Sequence, residues 1–262
     1  MLKDVTLGQY FPGKSFIHRL DPRVKLALVT LFIIALFAAK GIYAYALVFA
    51  WLACAVTSSK LSLTVFFRGL KPLIFILAFT VILNALYTPG EQLVKWWIFS
   101  VTLEGLQMGG FMLARILMLV TGTFLLTYTT SPIMLTDALE RVMSPLKNIK
   151  LPVHELAMMM TIALRFIPTL IEETQKIMSA QQARGADFES KNLIKRVKAL
   201  IPLLIPLFIS AFQRAEDLAV AMECRCYNGG EGRTRMRVMR VEFIDYAALT
   251  VTIALCAAVI IL

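Results

Sequence analysis

The sequence predicts an all-α integral membrane protein, with about five transmembrane helices and long amphipathic helices at the cytoplasmic surface. Three observations lead there. Of 262 residues, 58% are hydrophobic and the mean hydropathy is +0.73, above what a soluble domain of this length carries. Apolar runs of membrane-crossing length recur along the chain. Between the last two of them lies a basic segment, residues 131–241, with the apolar period of helices rather than strands.

The elements follow in order. Residues 1–23 form a polar cytoplasmic segment containing Pro12, Gly13 and Pro22. No apolar stretch followed by a small-residue cleavage site is visible, so a cleavable signal peptide is not expected. In "LDPRVK", Asp21 suits an N-cap and Pro22 the first helical position. Residues 24–130 hold four spans: Val24–Ala39, Ile42–Thr57, Pro72–Tyr87 and Gly105–Thr129. Gly105 and Gly109 form a GxxxG pair, a common mark of close helix packing. The final span is Phe243–Leu262, within residues 242–262.

Orientation follows from the basic residues. Lys3, Lys14, Arg19, Arg23 and Lys25 flank the first span, and Lys60, Arg68 and Lys71 lie between the second and third. Residues 131–241 hold 16 Lys/Arg against 11 Asp/Glu. The Thr88–Glu104 loop has only Lys95. The N-terminus and the 131–241 region are therefore expected in the cytoplasm, and the C-terminus outside. The net charge of +10 is a topology signal. No zinc-finger spacing or aromatic-and-basic motif points to nucleic acid.

Within 131–241, a short helix is expected near Ile133–Val142, then two long ones. In the first, Val153, Ala157, Met160, Leu164, Ile167 and Ile171 share a face; in the second, Leu193, Val197, Leu200, Leu204, Phe208, Ala211, Ala215 and Leu218 do. Pro168, Pro202 and Pro206 should bend or interrupt them. As membrane spans, these stretches would carry Lys176, Arg184, Lys191, Lys195, Arg196 and Lys198 to the wrong side. His154, Glu155 and Arg165 would have to enter the apolar layer. Two helices lying at the cytoplasmic surface fit better.

Each long helix runs out at an arginine between small residues. "MSAQQARGADFE" has Ala183, Arg184 and Gly185; "AMECRCYNGG" has Cys224, Arg225 and Cys226. One such arginine would read as a dipole-complementing last turn before a glycine cap. Two in like settings suggest two like receptors, because a guanidinium suits bidentate contact with a carboxylate. The run Met158, Met159 and Met160, with Leu164 and Ile167, reads either as core filler or as an adaptable surface for partners.

Much ordinary chemistry is excluded. There is no GxxxxGK[ST] loop for ATP. "HELAM" at His154–Met158 is not HExxH. Cys224 and Cys226 lack the further ligands of a metal site. Cys54 and Cys256 sit in apolar spans and read as small core residues. Arg115 is the main charge expected within the spans and Asn84 the polar outlier, too little for an ion or proton path of the usual kind. A self-contained channel or secondary transporter is the alternative, and would need a polar path through these spans.

"GQYFPGKSFIHRLDPRVK" at Gly8–Lys25 resembles the N-terminal signature of the transmembrane T component of energy-coupling factor transporters, a group of ATP-binding-cassette importers. The "ARG" and "CRC" triplets resemble that family's paired cytoplasmic motifs, the second departing from the commoner form in having cysteines on both sides of Arg225. The resemblance spans nearly the whole chain. It implies a non-catalytic cell-membrane subunit that couples two cytoplasmic ABC-type ATPase subunits to an exchangeable, membrane-embedded substrate-binding S subunit. The import of vitamins or transition-metal ions is implied, with ATP and Mg held by the ATPases and no cofactor in this chain. The triplets at 183–185 and 224–226 would dock the ATPases. Met158, Met159, Met160, Leu164 and Ile167 would contact the S subunit, and membrane lipid would surround the spans.

Overall fold

The computed structural model describes residues 10–89, 92–96, 99–145, 151–186, 188, 192–230 and 241–262. Gly8 and Gln9 of the N-terminal signature, Lys191, and the arginine-rich stretch 231–240 lie outside the described residues. The chain divides into two units, Gln9–Ala138 with Met239–Leu262, and Met1–Gly8 with Leu139–Val238.

The first unit holds the apolar helices. After a single turn, α1 (Phe16–Arg19), comes α2 (Pro22–Ala38), which starts as its sequence predicts. Pro22 occupies the first turn, and the Asp21 carboxylate accepts from the Arg23 N–H at 2.9 Å. A tight turn at Gly41, with φ +79°, leads into α3 (Gly41–Ser59). The third span begins earlier than expected. Helix α4 (Leu63–Leu70) passes through a 3₁₀ turn at Lys71–Leu73 into α5 (Ile74–Tyr87), so that Pro72 does not end the helical run. The expected loop at 88–104 holds an antiparallel ribbon of β1 (Gln92–Trp96) and β2 (Phe99–Thr102), with Trp96 opposite Phe99 and an irregularity near Gln92.

Helix α6 (Leu103–Thr129) is capped by Thr102, whose hydroxyl accepts from the Gly105 N–H at 3.2 Å. Its glycine pair packs on α5 as the GxxxG spacing predicts. A Cβ on Gly105 would lie 2.6 Å from the Asn84 carbonyl oxygen, and one on Gly109 3.4 Å from that of Val81. In lipid the hydrophobic effect does not draw helices together, so such backbone approaches matter more. Further along, Gly122 makes room for Phe32, which stacks on Trp51 with ring centroids 5.4 Å apart. Phe32, Leu36, Val48, Tyr128 and Val259 are fully buried and centre the core. Tyr128 gathers Phe11, Phe66 and Phe124 at 5.4–5.6 Å. The last helix, α10 (Phe243–Ile261), packs on α2.

Two expectations for this unit need correction. Arg115 is only half-buried, whereas Lys25, Asp21 and Asp245 are buried. The Lys25 ammonium donates to the Thr129 carbonyl at 3.0 Å, the Thr130 hydroxyl at 3.3 Å and the His18 carbonyl at 3.4 Å. Asp245 accepts from the Asp21 and Glu242 N–H groups, both at 2.8 Å, and so ties the first long helix to the last. Cys256 is buried as expected, its thiol donating to the Leu31 carbonyl at 3.3 Å, but Cys54 is exposed on α3.

Helix α7 (Pro132–Val142) ends within the second unit. There α8 (Val153–Ala183) and α9 (Leu193–Cys224) run unbroken through Pro168, Pro202 and Pro206, so the expected interruption does not occur. Each proline removes one ladder bond, and the remaining bonds of a helix this long carry it past. By length and composition, six helical stretches among the described residues could cross a membrane: α3, α4–α5, α6, α8, α9 and α10. α8 and α9 are the two least apolar of these.

Candidate functional site

The two arginines end their helices in the same way. At the end of α8, the Gly185 N–H donates to the Gln182 carbonyl at 2.9 Å and the Ala186 N–H to Gln181 at 3.0 Å. At the end of α9, the Cys226 N–H donates to Glu223 at 2.8 Å and the Tyr227 N–H to Met222 at 3.0 Å. Both are Schellman motifs with an arginine as the C-cap. Arg184 has φ −88° and ψ 7°, and Arg225 has φ −92° and ψ 13°. The next residue is left-handed in each, Gly185 at φ +87° and Cys226 at φ +55°. Gly185 therefore has a backbone reason to be glycine, whereas Cys226 carries a Cβ in the same left-handed position. Both arginines are exposed, as are Ala183, Gly185, Cys224 and Cys226.

Packing of α8 on α9 sets the two ends apart. The Glu173 carboxylate accepts from the Ser210 hydroxyl at 2.5 Å and from Arg214 Nη2 and Nε at 2.8 and 3.2 Å. Eight residues on, Gln181 Nε2 donates to the Pro202 carbonyl at 3.5 Å. That carbonyl lacks its usual helical donor because Pro206 has no N–H. As numbering rises on α8 it falls on α9, so the pair is antiparallel. The chain after α9 returns to the start of α8, where Gly230 leaves room only for the His154 ring. His154 Nδ1 lies 3.1 Å from the Glu140 carboxylate. Arg184 and Arg225 thus sit at opposite ends of the pair, on the order of 40 Å apart at 1.5 Å per residue. One receptor pocket cannot take both. The hydrogen bond from Ser210, followed by those from Arg214, holds the Glu173 carboxyl below its ordinary pKa.

The faces expected on these helices are partly corrected. Leu203, Ser210 and Arg214 form the row of α9 that is buried or bonded to α8. That row lies one residue, about 100°, from the expected Leu204–Phe208–Ala211–Ala215 face. Val197, Leu204 and Phe208 are exposed. The sequence period located an apolar stripe but could not tell that a polar row beside it makes the helix contact. On α8, three consecutive methionines cannot share one face. Met158, Leu164 and Ile167 are half-buried, whereas Met159 and Met160 are 54% and 47% exposed, too open for core filler. Glu173, Ser210 and Arg214 were not singled out from the sequence, although Ser210 and Arg214 stand at a helical i,i+4 spacing. The groups of three or more His, Cys, Asp or Glu that could hold a metal are absent among the described residues.

Residues 13–236 match the family described as CbiQ, cobalt transport protein. The chain belongs to that family. Curated relatives agree in length. The energy-coupling factor transporter transmembrane protein EcfT of Thermosediminibacter oceani is 51% identical over 251 residues, covering 96% of this chain and 95% of that protein. The protein of the same name from Clostridium kluyveri is 50% identical over 263 residues, covering 100% and 96%. That of Bacillus subtilis is 48% identical over 258 residues, covering 98% and 97%. The CbiQ match takes in both arginine triplets and the whole of α8 and α9.

Proposed function

We propose that this chain is the transmembrane component of an energy-coupling factor importer, moving ATP-driven motion from two ATPase subunits to a substrate-binding membrane subunit. The observation that carries the reading is the pair of matching helix ends, each presenting an exposed arginine on a Schellman turn. Two like plugs at opposite ends of one helix pair suit two like sockets, and the names of the relatives point to a transporter assembly.

In this mechanism Arg184 and Arg225 each enter an acidic groove on one ATPase subunit, where a planar donor fork can bind a carboxylate bidentately. ATP and Mg stay with the ATPases, and this chain performs no catalysis. Closure of the ATPases moves the two helix ends relative to each other. The exposed methionines of α8 and the open apolar face of α9 carry that motion to an exchangeable S subunit, which delivers a vitamin or a transition-metal ion. α8 and α9 lie on the cytoplasmic side, with the N-terminus inside and the C-terminus outside.

Replacing both arginines with glutamate is the test. Each change puts an acceptor where a donor stood and sets like charge against the groove. Losing one partner of a desolvated charge pair costs about 2–5 kcal/mol, about 30-fold or more in affinity. An exposed ion pair would cost about 0–1 kcal/mol. Arg184→Glu and Arg225→Glu together should abolish ATPase capture and ATP-driven uptake, and the lysine variants should be impaired. Normal ATP-dependent uptake by the double variant would sink this reading.

A further inference from the structure

The chain leaves the unit of the apolar helices at Ala138 and returns to it at Met239, so α8 and α9 are joined to that unit by two covalent roots. The first root begins at Thr130, a buried, extended residue with φ −133° and ψ 125° between the end of α6 and the start of α7. The second is the start of α10, at Glu242 and Asp245. Both meet the start of α2.

Each helix end there faces the charge that suits it. The C-terminus of α6 leaves its last carbonyls without helical donors. The Lys25 ammonium donates to the Thr129 carbonyl at 3.0 Å and to the Thr130 hydroxyl at 3.3 Å. The Phe11 N–H donates to the Tyr128 carbonyl, also at 3.0 Å. The N-termini of α2 and α10 meet at the Asp245 carboxylate, which accepts from the Asp21 N–H with one oxygen and from the Glu242 N–H with the other. Asp21 caps α2, and Lys25 lies one helical turn on, its own N–H donating to the Asp21 carbonyl at 3.0 Å. Asp245, Asp21, Lys25, Thr129 and Thr130 thus form one continuous line of contact from the second root to the first.

Capping alone does not call for this much buried charge. A glycine turn or a solvated lysine can close a helix C-terminus. Lys25, Asp21 and Asp245 are only 5%, 5% and 2% exposed. Desolvation makes such a set a weak source of stability compared with apolar side chains of the same shape. It does constrain position. A root that slides away from its partner leaves a buried charge unmatched, which costs far more than a displaced apolar contact.

We infer that Lys25, Asp21 and Asp245 are positioning residues for coupling, locking the two roots of the 131–241 region to each other so that they move as one body. Force on α8 and α9 is then not dissipated in splaying the roots. The use of the lock rests on the coupling role proposed above; its geometry rests on the hydrogen bonds alone.

Spin labels at Ile133 on α7 and Tyr246 on α10, both exposed, report the separation of the roots. The chain has its native cysteines replaced and is measured in lipid vesicles, alone and assembled with its partners. The separation should be narrow, and the same with and without ATP. Lys25→Met keeps the length of the side chain and removes the charge. It should broaden the separation and lower substrate uptake per ATP hydrolysed by about tenfold, the factor carried by one hydrogen bond to a charged group. Thr130→Val keeps the shape, removes one acceptor and should fall between Lys25→Met and wild type, a second reading should Lys25→Met fold poorly. A merely structural role would reduce the amount of assembled transporter and leave uptake per ATP unchanged in what assembles. That result, a root separation that changes on ATP binding, or a narrow separation in both variants would each overturn the inference. A narrow separation that Lys25→Met broadens, in a chain that captures no ATPase, would overturn the transporter reading and leave the lock standing.

Discussion

Cys226 places a side chain where the backbone of the arginine-tipped turn favours none. It occupies the left-handed position that Gly185 fills at the other helix end. A non-glycine residue there costs about 1–2 kcal/mol, because its Cβ crowds the following carbonyl. Cys226→Gly should relieve that strain, and the amides of Cys226 and Tyr227, which close the turn, should exchange about tenfold more slowly. Cys226→Val should speed the same amides by a similar factor, since a branched Cβ tolerates positive φ worst. ATPase capture should follow the same order, glycine at or above wild type and valine below. If valine leaves both protection and capture unchanged, the turn does not position Arg225. The "ARG" triplet announced its left-handed cap through glycine. The "CRC" triplet did not, because cysteine carries no conformational signature of its own.

At the scale of elements, α8 and α9 are held by a polar clasp rather than by the apolar stripe that the sequence displays. Glu173 joins Ser210 and Arg214 across the pair. Its pKa is lowered, so the clasp is fully present above the ordinary glutamate value of 4.5 and is lost as pH falls through the lower, folded-state value. Spin labels on Gln182 and Lys198 should report a fixed separation at neutral pH that broadens only in that acid range. Glu173→Gln should broaden it at every pH and remove the acid step, and a Glu173→Arg, Arg214→Glu exchange should restore part of the order. An acid transition that persists in Glu173→Gln would assign it to another group. Helix existence was legible here, from Val153 to Ala183 and from Leu193 to Cys224, because 3.6-residue periodicity survives single prolines. The contact face was not. Periodicity ranks residues by polarity, and the Glu173 clasp is made by residues that rank low.

For the whole molecule, length and charge pull in opposite directions on where α8 and α9 lie. Both are long and apolar enough to span a membrane, and most of the α9 apolar surface is exposed. Composition alone would therefore raise the span count. Charge opposes this, since Lys176 and Arg184 on α8, and Lys198 and Arg214 on α9, would have to be translocated or buried in lipid. The Glu173–Arg214 clasp could shelter Arg214, but not Arg184, which has no such partner among the described residues. A cysteine introduced at Ser179, an exposed position five residues before Arg184, separates the arrangements. With the native cysteines replaced, a membrane-impermeant maleimide added to intact cells should leave it unlabelled, and the same reagent should label it in inverted vesicles. A control cysteine at Thr88, beyond α5, should give the opposite pattern. Labelling of Ser179→Cys from outside at the rate of the Thr88 control would put the arginine of α8 beyond reach of any cytoplasmic ATPase.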